Sequence, residues 1–176
     1  MAVLYSSNTA FARFMIEPQY RVYSGDYKGN GRSGDLHGEG NAIHIGYIGE
    51  FFMAGVSAEK GWMHIDGNIM GNGSENFVYG GLGTYMGFHF MNRLKIYTGY
   101  VNTTLEPTNV STYRFFGQQV NFGIGWRIVD FIILHYEYMN NFHTQEENDI
   151  TGKTDGLSSN IRSNKQAYGI SFIFVF

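Results

Sequence analysis

Acids and bases alternate with apolar residues along several segments of this chain: Arg13, Glu17, Arg21, Glu50, Glu59, Lys95, Arg127, His135 and Glu137. If these side chains turn to one interior they must pair, because an unpaired buried charge is very costly. A fixed set of pairs would stand in for an apolar core. A set that exchanged partners would act as a gate on a narrow water path. The same phase carries Gly81, Gly83, Gly87, Gly99, Gly123, Gly125 and Gly169. Glycines there either leave volume unfilled or relieve the curvature of a tightly bent sheet.

Other motifs carry less. Gly29-Asn30-Gly31-Arg32-Ser33-Gly34 matches a phosphate-binding glycine pattern, but no helical periodicity follows it, so it reads as a loop. Asp66-Gly67-Asn68 opens like a calcium loop, yet Met70 and Phe77 stand where oxygen ligands belong. There are 6 histidines. His44, His89 and His135 fall on the charged phase, and His64 has no evident nucleophile beside it. With 0 cysteines there is no disulfide framework or thiolate chemistry. No metal, cofactor or catalytic residue is expected, and a net charge of -3 gives no reason to expect nucleic acid.

Period-two alternation fixes the elements that must position the charged set. It recurs over residues 11–23, 41–51, 52–64, 77–90, 94–102, 112–128, 131–142 and 166–176, with polar segments between them. The connections alternate long and short, the longest being 24–40 and 143–165. Pro18 predicts a local defect in the first strand, since it removes a ladder donor. The phase blurs at Lys60-Gly61, which predicts a bulge.

Only 15% of residues are charged, below the roughly 25% usual in soluble domains. Charge concentrates in the connections and on one strand face. The other face is nearly pure Ile, Val, Leu, Phe, Tyr, Trp and Met. A soluble barrel would reverse that polarity. No stretch approaches the ~20 apolar residues of a membrane helix. The last strand, Gln166-Ala167-Tyr168-Gly169-Ile170-Ser171-Phe172-Ile173-Phe174-Val175-Phe176, would be an aggregation hazard in water but is solvated in lipid. About eight strands with alternating long and short connections predict a closed antiparallel transmembrane barrel. Tyr20, Tyr47, Trp62, Tyr100, Trp126, Tyr138, Phe174 and Phe176 are its candidate membrane-interface anchors.

On these marks the chain resembles the small eight-stranded outer-membrane barrels, the group of the OmpA membrane domain and OmpX. The resemblance covers residues 11–176 and rests on Gly169-Ile170-Ser171-Phe172-Ile173-Phe174-Val175-Phe176, the hairpin rhythm and the two-faced strands. It implies an all-β meander barrel in the bacterial outer membrane, with short periplasmic turns and long external loops. Residues 1–10 would be a periplasmic extension. Met1-Ala2-Val3-Leu4 is too short for the apolar core of a secretory signal, so an exported chain would have lost one before this start.

The expected partners are outer-membrane lipids and lipopolysaccharide, the barrel-assembly machinery through the C-terminal strand, and an external ligand at the loops. A monomer is expected, because closure leaves no sheet edge. The expected function is a structural barrel with an ion-paired lumen, accompanied by a narrow pore for ions or small solutes. The alternative is surface binding or adhesion through the external loops. A lipid A-modifying enzyme ranks third.

Overall fold

Alternation of apolar and polar residues gives strands wherever it occurs, and the strands run further than the alternation suggests. The computed structural model describes residues 12–29, 32–66, 75–90, 93–108, 113–148, 151 and 153–176. Its strands are β1 (Arg13–Gly29), β2 (Arg32–Ile48), β3 (Phe52–Asp66), β4 (Glu75–Phe90), β5 (Leu94–Pro107), β6 (Tyr113–Val129), β7 (Ile132–Asn148), β8 (Lys153–Phe172) and β9 (Phe174–Val175). Each pairs antiparallel with its chain neighbour, and β1 pairs with both β2 and β8. β9 extends β8 past Ile173 against the start of β1. The result is a closed meander of eight staves. Residues 1–11, including the expected N-terminal extension and the first residue of the expected strand, lie outside the described residues.

The polar segments 24–40 and 143–165, expected as loops, are paired strand over most of their length. β1 and β2 stay in register from Arg13↔Ile48 to Gly29↔Arg32. β7 and β8 pair out to Asn148↔Lys153. Polar residues pair well on a sheet when both faces meet water, so low hydrophobicity did not end the strands there. At the opposite end the connections are short, as at Gly49, whose N–H donates to Phe52 O at 2.8 Å.

The bulge expected at Lys60-Gly61 is absent: Asn41↔Lys60 and Gly40↔Gly61 continue one unbroken register. Register shifts fall instead between Phe116 and Gly117, Arg127 and Val129, and His143 and Gln145. The Pro18 defect is real and lies at the closing seam. Phe176 N donates to Phe14 O at 2.9 Å, so every second residue of β1 turns its N–H toward the C-terminal strand. Pro18 belongs to that set and has no N–H to give. The ladder is interrupted there, between Ile16↔Phe174 and Gln19↔Ser171.

The outer wall is apolar. Val22, Leu82, Met86, Phe88, Val120, Phe122, Trp126, Leu134 and Tyr168 are exposed on it. The core is the barrel interior, and it has three layers. Near the short turns, Met15, Ile48, Met53, Tyr85, Tyr97, Ile133 and Ile173 pack together. Near the long hairpins, Tyr23, Tyr27, Leu36, Met63, Ile65, Phe77, Tyr79, Leu105, Phe115, Met139 and Ile161 do the same. Between them lies a buried polar layer.

Candidate functional site: the ion-paired lumen

β1 supplies the axis of that middle layer, because alternation puts Glu17, Gln19 and Arg21 on the inner face in succession. All three are buried. The Arg21 guanidinium spans the lumen, with Nη1 3.1 Å from Glu59 Oε2 on β3 and Nη2 3.0 Å from Glu137 Oε1 on β7. Its Nε donates to Gln19 Oε1 at 2.9 Å. The fork geometry of arginine allows this bridging of two carboxylates; a lysine could not reproduce it.

The second centre is Glu17. Lys95 Nζ on β5 donates to both of its oxygens at 2.7 Å. Ser171 Oγ donates to Glu17 Oε1 at 2.7 Å, and Gln19 Nε2 donates to the same oxygen at 3.2 Å. Gln19 thereby links the two centres. Gln119 Nε2 donates to Glu59 Oε1 at 3.0 Å. The Tyr97 hydroxyl donates to Glu137, and His135 Nδ1 lies 3.5 Å from the same carboxylate. Lys95 also sits 4.4 Å from the centre of the Tyr97 ring. His44 stacks on Tyr85 with ring centres 4.3 Å apart. Each buried carboxylate thus has a cation and at least one neutral donor, which is what a buried charge requires.

Of the residues singled out in the sequence, Glu17, Arg21, Glu59, Lys95, His135 and Glu137 meet in this network. Arg13 and Glu50 do not: both are exposed, Arg13 at the first pair of β1 and Glu50 in the β2–β3 turn. The inner phase at a stave's end opens to water, so phase alone overcounts there. Arg127 is half-buried at the short-turn mouth, where it lines a gap of about 10 Å³ with His89, Arg93 and Ile173. That is room for about one water.

Lys165 was missed. It is buried, with Nζ 4.5 Å from the Tyr79 ring centre and 5.3 Å from that of Tyr23. It lay at the edge of an expected loop. The alternation Ile161, Ser163, Lys165, Ala167, buried at every second residue, carried the signal. The supporting Gln19, His44, Gln119 and Ser171 were legible as inward but not as partners.

The candidate anchors Tyr20, Tyr47, Trp62, Tyr100, Trp126, Tyr138, Phe174 and Phe176 are all exposed on the outer wall. Tyr47, Trp126, Phe174 and Phe176 stand near the short turns. The remaining four stand toward the long hairpins. His64 faces outward as well, with Nδ1 2.6 Å from Asn76 Oδ1 and Nε2 3.1 Å from Asp66 Oδ1. Among the described residues no cluster of three or more metal-ligating side chains occurs. Gly29 and Ser33 lie in paired strands, so the glycine motif belongs to a hairpin, and most of the calcium-like segment lies outside the described residues.

No protein-family model matches the chain, and neither does any curated protein sequence. Solved structures do match. Ail, the attachment invasion locus protein of Yersinia pestis, aligns over 93% of this chain and 99% of its own with a TM-score of 0.57 at 9% identity. Neisserial surface protein A aligns over 90% and 96%, with a TM-score of 0.51 at 13% identity. OprG of Pseudomonas aeruginosa aligns over 93% and 96%, with a TM-score of 0.51 at 9% identity. The fold is that of the small bacterial outer-membrane barrels. Its apolar outer wall belongs in lipid, its short turns are the periplasmic end and its long hairpins are external. At these identities the likeness reaches the backbone architecture and no further.

Proposed function

We propose that this chain is a structural outer-membrane barrel whose lumen is sealed, its ion-pair network serving as core. The supporting observation is the layering: the network around Arg21 lies between two apolar layers, both made of buried side chains. Water crossing the barrel would have to open both layers and separate Arg21 from Glu59 and Glu137. A narrow pore is the less favoured reading for that reason. Refolded protein in planar bilayers is expected to pass no discrete current. Conductance steps that change in Glu137→Gln would overturn the sealed lumen.

A second reading, surface binding, draws on the external hairpins. Strands of 17 residues, such as β1 and β2, rise roughly 40 Å at a 40° tilt, against an apolar band about 25 Å tall. The excess projects as paired strand, a stiff platform for contact. The Ail structure was obtained with a heparin analogue, sucrose octasulfate. The hairpins of this chain carry mixed charge, with Asp26, Lys28, Asp35 and Glu39 on β1–β2 and Glu146, Glu147, Lys153 and Asp155 on β7–β8. That balance favours a neutral or mixed-charge partner over a polysulfate. Deleting residues 26–35 should abolish attachment of protein-coated beads to a partner cell while leaving heat-modifiable migration intact. Unchanged attachment would remove those residues from any binding role.

A further inference from the structure

The outer wall has a polar notch at one point of its external border. The outward residues of β3 run Phe52, Ala54, Val56 and Ala58, then Lys60 and Trp62. Lys60 stands opposite Asn41 of β2, and Asn41 stands opposite Tyr20 of β1; the next outward pair is Glu39 and Trp62. These side chains, with Gly40 and Gly61, line a groove of about 390 Å³. The Tyr20 hydroxyl donates to the Glu39 carboxylate. Lys60 is exposed and forms no ion pair among the described residues. A lysine on the lipid side costs little only near the interface, where its stem can lie on the wall and its ammonium can reach headgroups.

The wall below the notch is shaped as well. Ala58 stands between Ile43 and Leu82, Val56 between Ile45 and Thr84, and Ala54 between Tyr47 and Met86. A row of small side chains on β3 is thus flanked mostly by longer ones on β2 and β4. Those flanking strands are roughly 10 Å apart, two strand spacings. This leaves a shallow apolar channel running down the wall from Lys60, wide enough for one hydrocarbon chain.

We infer that this notch and channel together hold one outer-leaflet lipid with a phosphorylated headgroup. The phosphate sits on the Lys60 ammonium. The Asn41 amide and the free lone pairs of the Glu39 carboxylate meet headgroup hydroxyls, and Trp62 covers the headgroup side. One acyl chain lies along Ala58, Val56 and Ala54. The channel commits the site to a lipid rather than a free phosphate, because a soluble anion would make no use of it. This assignment needs the membrane placement of the wall and is independent of whether the lumen is sealed.

The test is native mass spectrometry of the refolded protein released from detergent, with bisphosphorylated lipid A and with the same lipid after phosphate removal. One phosphorylated lipid should be retained per barrel, and the dephosphorylated form retained at least about tenfold less, the scale of one charge-assisted bond. Lys60→Gln should lower retention by a similar factor and Lys60→Arg should keep it. Ala58→Phe, which fills the channel and spares the cation, should also lower it. Equal retention of both lipids, or no effect of Lys60→Gln, overturns the inference. Displacement by inorganic phosphate with no effect of Ala58→Phe would make it a phosphate site and overturn the lipid. Heat-modifiable migration of each variant reads folding separately, and the wild-type comparison of the two lipids needs no variant.

Discussion

Arg21 and Lys60 occupy nearly the same level of the barrel on opposite faces of one wall. Arg21 stands opposite Gly40, Gly40 stands opposite Gly61, and Lys60 is the residue before Gly61. Inside, Arg21 is buried and bridges two carboxylates. Outside, Lys60 is exposed and has no protein carboxylate as a partner among the described residues. A cation in a narrow lumen can draw counter-charge only from the protein, so the fold must supply it. A cation at the lipid border can draw it from headgroups or water.

The comparison can be broken most severely at its buried half. Arg21→Ala should cost about 3–5 kcal/mol, because it strands Glu59 and Glu137 without a cation. Urea-dependent refolding into vesicles would measure this, and a loss below about 1 kcal/mol would show that the interior is wet enough to solvate both. Lys95→Met should cost less, about 3 kcal/mol, since Glu17 keeps the donors Ser171 and Gln19. Adding Glu17→Gln should recover much of that loss, and the coupling in a double-mutant cycle would give the strength of the pair.

Gly123→Ala probes packing rather than charge. A Cβ there would meet Tyr97 Cζ at 2.2 Å, so the ring that donates to Glu137 must shift. The expected loss is about 1–3 kcal/mol by the same refolding assay. At the outer half, Lys60→Met should change stability by no more than about 0.5 kcal/mol. A loss comparable to that of Lys95→Met would mean Lys60 is held by the protein after all, and would erase the contrast.

Much of the site could be read from the chain, and its gaps have physical causes. Glu17, Arg21, Glu59, Lys95, His135 and Glu137 were assignable to one face because side-chain direction alternates strictly along a strand. Arg13 and Glu50 shared that phase, but the sequence does not show where a stave leaves the packed interior. Lys165 and the hairpin extensions were hidden because polar strand and polar loop have similar composition. The seam defect was legible from Pro18 alone, while the lack of a bulge at Lys60-Gly61 was not, because glycine fits both a bulge and a close approach of strands.

By itself, then, the sequence determined the period, the two faces, the order of the staves and their meander pairing, all of which follow from local chain geometry and short connections. Only the tertiary structure decided which inward charges meet. Arg21 finds Glu59 two staves away in one direction and Glu137 two staves away in the other, through β8. That meeting depends on how far the staves are sheared when the barrel closes. Shear is a property of the whole ring, fixed by the β1–β8 seam, and no local pattern encodes it.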